Sequence, residues 1–192
     1  METTVKNKYE TKYGEVFTIP NILSMVRICL IPIIVWLYCG VKDYTLTGII
    51  LILSGITDLV DGFIARRFNM VSDLGKILDP IADKLTQSTM LICLFFRFPL
   101  MLLPFFLIFA KEVFMSITGA LVIKKTGEVN SADWHGKVAT CMLYAMMILH
   151  VFWFDIPSDI SAISIIACFV MIGISFLLYG IKNIKKIKAY NK

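Results

Sequence analysis

Charge is scarce in this sequence. Asp, Glu, Lys and Arg make up 17% of the 192 residues against 58% hydrophobic ones, and the mean hydropathy is +0.78. A soluble domain carries about a quarter charged and about half apolar residues. The apolar runs here are too long, and leave too little polar face, for a large soluble helical core. Histidine is almost missing, at two residues, and the five cysteines (Cys29, Cys39, Cys93, Cys141 and Cys168) sit singly inside apolar runs without a CxxC pair. That excludes a convincing zinc set and leaves the cysteines as small membrane-embedded hydrophobes. No basic stripe with interleaved aromatics accompanies the net charge of +5, so nucleic acid is not an expected partner. Internal repeats and long linkers are absent too. The first twenty residues mix both signs of charge, and no small-residue cleavage pattern follows the first apolar run, so no cleavable signal is expected.

What remains is a succession of apolar runs. They predict an all-α, polytopic integral membrane protein with six transmembrane helices in one bundle, over about 22–39, 45–66, 78–96, 100–123, 137–154 and 160–179. Residues 1–20 form a polar cytosolic or interfacial segment, 21–182 the six-helix domain and 183–192 a basic tail. Pro32 interrupts the first span and Pro104 is expected to kink the fourth. Asn69, Ser72, Asp73 and Gly75 read as the loop between the second and third spans.

Basic residues gather on one side: Lys6, Lys8 and Lys12, then Arg66, Arg67 and Lys76, then Lys124, Lys125 and Lys137, and finally five lysines from Lys182 to Lys192. The other side has only Lys42 and Arg97. The positive-inside rule therefore predicts a multi-pass protein of the cell membrane with both termini cytosolic.

The stretch DLVDGFIARRFNMVSDLGKILDPIAD, Asp58 to Asp83, organises the chain. Asp58 and Asp61 are three apart, Asp79 and Asp83 four apart, so each pair shares one helix face. An uncompensated aspartate in a bilayer costs roughly 2.5–3.5 kcal/mol on insertion scales. Four facing one another repel unless cations sit between them, and all-oxygen ligation points to Mg²⁺ or Mn²⁺. Paired aspartates holding two divalent ions suit phosphoryl chemistry on a diphosphate, with Arg66 one turn beyond Asp61 as a multidentate phosphate donor. Gly62 and Ala65 leave room for a flat or bulky group against the helix, and small residues equally allow close helix packing. An ion-conducting or purely structural membrane protein would also place acids beside bases. The clustering of these acids at one membrane face argues against an ion path, which would carry them at mid-depth.

The pattern Asp58-x₂-Asp61-Gly62-x₂-Ala65-Arg66-x₈-Gly75-x₃-Asp79-x₃-Asp83 resembles the full signature of the CDP-alcohol phosphatidyltransferases. The resemblance implies that Asp58, Asp61 and Asp79 are metal ligands holding the diphosphate of a CDP-lipid. Asp83 would sit at the metal site as general base toward an acceptor hydroxyl. It further implies that Gly62 and Ala65 line the cytidine surface, that Arg66 contacts phosphate and that Gly75 lies near the nucleotide.

Among branches of the family, Pro20-Asn21, Arg27, Ala82-Asp83-Lys84 and Gly136-Lys137-x₂-Thr140 look most like bacterial phosphatidylglycerophosphate synthase. That likeness implies CDP-diacylglycerol and sn-glycerol 3-phosphate as substrates and CMP as a product. An acceptor phosphate needs further cations, for which Arg27, Lys76, Lys84, Lys111 and Lys137 are the candidates. The branch often carries an Arg-Glu pair in the fourth span where this chain has Lys111-Glu112, and cardiolipin-type transfer to phosphatidylglycerol is the alternative. Oligomeric state is left open, a homodimer included.

Overall fold

The computed structural model of the protein describes residues 19–67, 75–126 and 133–190, with side chains for 21–58, 60, 75, 78–122 and 133–186. Six α-helices follow in order: α1 (Ile19–Val35), α2 (Tyr44–Arg67), α3 (Gly75–Phe95), α4 (Leu102–Thr126), α5 (Trp134–Phe152) and α6 (Ser158–Tyr190). Among the described residues there is no strand. The predicted N-terminal segment before residue 19 and the loop residues Asn69, Ser72 and Asp73 lie outside the described residues.

Contacts close the helices into a ring in the order α1, α2, α5, α6, α4, α3 and back to α1, with α3 also touching α5 across it. The core inside is aliphatic and methionine-rich, with Ile34, Leu51, Leu94, Leu143, Met147 and Ile165 all buried. Large side chains such as Phe106, Phe109, Ile163 and Leu177 point outward and are well exposed. An apolar exterior is the expected surface for a protein whose solvent is lipid. The chain is an all-α membrane protein.

Among the described residues, four stretches are long and apolar enough to cross a bilayer: Asn21–Val41, Pro99–Val122, Trp134–Phe152 and Ser158–Lys186. α2 is apolar only over Tyr44–Asp58, and α3 is studded with Asp79, Asp83, Lys84, Thr86 and Gln87. These two helices carry the aspartates. Thr86 and Gln87 are nonetheless buried, so much of α3's polarity faces its neighbours.

Several element ends differ from the expected ones. α1 passes through Pro32 and continues as a π-helical turn over Trp36–Val41, closed by Lys42 in the left-handed region at φ 62°. α3 starts at Gly75 rather than near Leu78, so Gly75 is the first helical residue and not a loop residue. Pro80 then falls in the second turn, where its ring removes a single intrahelical bond. Pro104 falls in the first turn of α4, after a short 3₁₀ turn at Pro99–Met101, where a missing N–H breaks no bond.

α6 does not end near Tyr179 but runs unbroken to Tyr190. Lysine is a good helix former, and the extension has packing of its own. Asn183 is fully buried and donates to Thr118 Oγ1 at 2.8 Å, while Gly180 lets the Phe114 ring approach.

The start of α5 is tied to the same extension. Lys182 Nζ reaches both carboxylate oxygens of Asp133 at 2.6 Å, and the Asp133 N–H donates to the Tyr179 hydroxyl at 2.8 Å. Gly136 sits under that hydroxyl, where an added Cβ would lie 2.6 Å from the oxygen and 3.0 Å from Cε2. Gly136→Ala should therefore destabilise, because the ring is held in place; overpacking typically costs about 1–3 kcal/mol. Gly48→Ala is the contrast. Its Cβ would meet the Phe152 ring at 2.5 Å, but that ring is exposed and can swing away. Thermal melting of the two variants in detergent checks the difference; an unchanged midpoint for Gly136→Ala would contradict it.

Candidate active site

α2 and α3 bring the signature aspartates together from their facing ends. Asp58 lies within electrostatic reach of both Asp83 and Asp79. Each described carboxylate has a dedicated donor from another part of the bundle or from its own helix. Arg27 of α1, itself only 1% exposed, forms an ion pair with Asp58 Oδ1. Ser24, one turn earlier on α1, donates its hydroxyl to Asp79 Oδ1. Tyr144 of α5 donates its hydroxyl to Asp83 Oδ1 at 2.9 Å, and Gln87 Nε2 donates to Asp83 Oδ2 at 2.9 Å.

This arrangement follows from helix periodicity. Ser24 and Arg27 are three apart on α1 and so share one face of that helix, and Asp83 and Gln87 are four apart on α3. α1 packs on both α2 and α3, which lets one face of it serve aspartates on two helices.

The five acceptor-phosphate candidates are not equivalent. Arg27 is committed to Asp58. Lys84 sits 3.7 Å from Asp83 Oδ2 and 3.2 Å from Glu112 Oε1, bridging α3 to α4. Lys111 is buried, with its ammonium 5.8 Å from the centre of the Tyr179 ring. Glu112 thus pairs across helices with Lys84. Lys137 is exposed on α5, one and two turns before Cys141 and Tyr144 on the same face. The side chains of Lys76, Asp61, Gly62, Ala65 and Arg66 lie outside those described.

Beside the carboxylates, a cavity of about 360 Å³ runs between α2 and α5. Leu51, Ile52, Gly55 and Ile148 line it, and Asp58 and Tyr144 stand among its few polar groups. It is an apolar groove with an acidic site on its wall.

The CDP-alcohol phosphatidyltransferase family profile matches residues 17–179, which is nearly the whole helical bundle. The chain belongs to the CDP-alcohol phosphatidyltransferase family. A CDP-diacylglycerol–glycerol-3-phosphate 3-phosphatidyltransferase of Bacillus subtilis is 34% identical over 160 residues, covering 74% of this chain and 82% of that protein. One of the same name from Aquifex aeolicus is 32% identical over 176 residues, covering 88% and 97%. A CMP-forming cardiolipin synthase of Streptomyces coelicolor is 34% identical over 140 residues, covering 70% of this chain. That match spans 65% of the Streptomyces protein, just under two thirds of its length. The family expected from the Asp58–Asp83 signature is therefore borne out.

CDP-alcohol phosphatidyltransferases are in general divalent-metal dependent. The described donors suit such an ion. They are hard carboxylate oxygens, and Asp58 and Asp79 each have one oxygen oriented by a donor while the second has no partner among the described residues. Orientation of ligating groups by outer hydrogen bonds is the usual design of a metal site. Among the described residues, no three acid, His or Cys side chains are grouped closely enough to be a ligand set; Asp61 is not among those residues.

Sequence reasoning did not single out Ser24, Gln87 or Tyr144. Gln87 had a signal, its spacing of four from Asp83 on a helix. Ser24 shares a face with Arg27, but nothing in the sequence says which helix that face meets. Tyr144 had none, being one aromatic in the apolar run of α5.

Proposed function

We propose that this phosphatidyltransferase moves the phosphatidyl group of CDP-diacylglycerol to the hydroxyl of sn-glycerol 3-phosphate, releasing CMP and forming phosphatidylglycerophosphate. The signature Asp58, with Asp79 and Asp83 within its electrostatic reach and an apolar groove beside it, carries the reading. The Bacillus and Aquifex relatives bear the name of that activity and match over most of their length.

Asp58, Asp61, Asp79 and Asp83 would hold Mg²⁺ or Mn²⁺, two ions in the fullest form. Bound there, the cation supplies neutralisation of the diphosphate charge. Arg27 offsets the charge of Asp58, and Ser24 keeps the Asp79 carboxylate turned toward the site. The groove between α2 and α5 takes an acyl chain of the donor lipid, with its diphosphate end at Asp58. Gly62, Ala65 and Gly75 border the cytidine, and Arg66 contacts phosphate.

Asp83 accepts the proton of the acceptor hydroxyl as its oxygen attacks the phosphorus next to diacylglycerol, and the bond from that phosphorus to the CMP oxygen breaks. Tyr144 and Gln87 each hold one oxygen of Asp83, which fixes the carboxylate plane. No nucleophile from the protein enters the reaction. The basic distribution favours a six-span bundle with both termini and its acidic mouth facing the cytosol. The domain is 21–182, flanked by the 1–20 segment and the basic 183–192 end.

The acceptor phosphate is met by Lys137, Lys84, Lys111 and Lys76, with Arg27 acting through Asp58. Lys137→Ala should then raise the KM for glycerol 3-phosphate far more than that for CDP-diacylglycerol. A desolvated charged contact is worth about 2 kcal/mol or more, roughly 30-fold, whereas a solvated one is worth about 1 kcal/mol or less. Equal changes in both KM values would remove Lys137 from the acceptor site.

The Streptomyces relationship favours a second reading, phosphatidylglycerol as acceptor. Purified enzyme given labelled CDP-diacylglycerol with each acceptor separately decides between them. Cardiolipin formed without any transfer to glycerol 3-phosphate would overturn the first reading.

A further inference from the structure

At the end of the bundle away from the aspartates lies a second cavity, of about 480 Å³. Asp79 and Phe95, the last residue of α3, are separated by about 24 Å at a helical rise of about 1.5 Å per residue, and Arg97 lies just beyond. Tyr38, Lys42, Tyr44, Phe96, Arg97 and Phe154 form most of the wall. They come from all three turns of this end: α1 to α2, α3 to α4 and α5 to α6.

The charge pattern is selective. This end carries two bases, Lys42 and Arg97, and three acids, Asp43, Asp155 and Asp159. Both bases line the cavity and none of the acids does. Lys42 has no ion-pair partner among the described residues. Arg97 touches Asp155 through one nitrogen at 3.3 Å, but the Asp155 side chain is 91% exposed, and so solvated a pair holds the guanidinium weakly. The Arg97 guanidinium carbon instead lies over the Phe154 ring, a contact that uses the ring's face and none of the guanidinium's N–H donors. The Tyr38 and Tyr44 hydroxyls have no hydrogen-bond partner among the described residues either.

Size and chemistry fit a ligand site, which is typically a cavity of about 300–1,000 Å³ with aromatic walls and few converging polar groups. Trp36 and Phe96 are strongly exposed on its flank, as aromatic side chains are at a membrane interface. We infer that this cavity binds the phosphate headgroup of an anionic phospholipid from the leaflet opposite the aspartates, held by Lys42 and Arg97 and capped by the two tyrosine hydroxyls. The lipid bridges three interhelical turns and so stabilises the fold by mass action. The site is independent of the transfer chemistry proposed above.

The test uses full-length protein in neutral detergent, titrated with dioleoylphosphatidylglycerol, with dioleoylphosphatidylcholine and inorganic phosphate as separate arms. Native mass spectrometry counts retained lipid and thermal melting reads stabilisation. Lys42→Asn removes the charge while asparagine tolerates the left-handed backbone. Arg97→Gln removes the second charge, and Arg97→Lys retains it.

Wild type should retain phosphatidylglycerol and melt higher with it. Lys42→Asn and Arg97→Gln should each weaken that binding about tenfold, the scale of one lost charged hydrogen bond. Both should keep wild-type transfer activity, Arg97→Lys should bind nearly as wild type, and Asp58→Asn should retain the lipid because its lesion is at the other end. Unchanged phosphatidylglycerol binding in both charge-removing variants would overturn the proposal. So would equal binding of phosphatidylcholine, or the same melting shift with inorganic phosphate at matched concentration.

Discussion

Asp83→Asn is expected to lose about 10²–10⁴-fold in phosphatidyl transfer, the usual contribution of a positioned base, while still binding CDP-diacylglycerol. The geometry makes this a clean substitution. Tyr144 can go on donating to the remaining carbonyl oxygen at the 2.9 Å it now spans. The new amide nitrogen would oppose Gln87 Nε2, and Gln87 can relieve this by turning its own amide over at the expense of the long 3.4 Å contact from Lys84 Nζ to its Oε1. Shape is therefore kept, while the ability to take a proton and the negative charge beside Lys84 are removed; Asp58, Asp61 and Asp79 remain to hold the metal. Calorimetric binding of CDP-diacylglycerol beside turnover of the same preparation separates the two properties. Wild-type turnover by Asp83→Asn would rule out the base assignment.

Removing divalent cation with excess chelator should abolish turnover, and Mg²⁺ or Mn²⁺ should restore it. The same cause gives Asp58→Asn and Asp79→Asn a different signature from Asp83→Asn, in which metal and nucleotide binding fall together. Ser24→Ala is the graded version. It leaves Asp79 in place but removes the hydroxyl that orients it, and loss of such an outer partner typically weakens metal binding about 10–100-fold. Isothermal titration with Mn²⁺ on the three variants should order them with Ser24→Ala the mildest. Full activity in chelator, or Asp79→Asn with undiminished Mn²⁺ affinity, would show that the carboxylates serve something other than a metal.

Arg27 shows where reasoning from the sequence stops. A lone arginine in an apolar run reads equally as a residue reaching for the interface or as a partner for acids. The structure buries it against Asp58. That choice depends on α1 packing between α2 and α3, a long-range contact that no local pattern encodes. Lys111-Glu112 is a similar case. As neighbours in sequence they do not face each other on a helix, and Glu112 finds Lys84 on α3 instead.

The all-helical membrane class, the family and the aspartate signature were legible in the sequence, because each is written in local terms. Hydropathy sets which segments leave water, and helical spacing of three or four sets which acids share a face. Tertiary structure alone decided which donor meets which carboxylate: Ser24 on Asp79, Arg27 on Asp58, Tyr144 on Asp83. It also decided that Lys42 and Arg97, fifty-five positions apart, line one cavity, and that α6 runs on past the apolar stretch to Tyr190. In a bundle whose lipid-facing surface is largely apolar, hydrophobicity does not choose the neighbours of a helix. Side-chain packing and the pairing of buried polar groups do, and both depend on residues far apart in the chain.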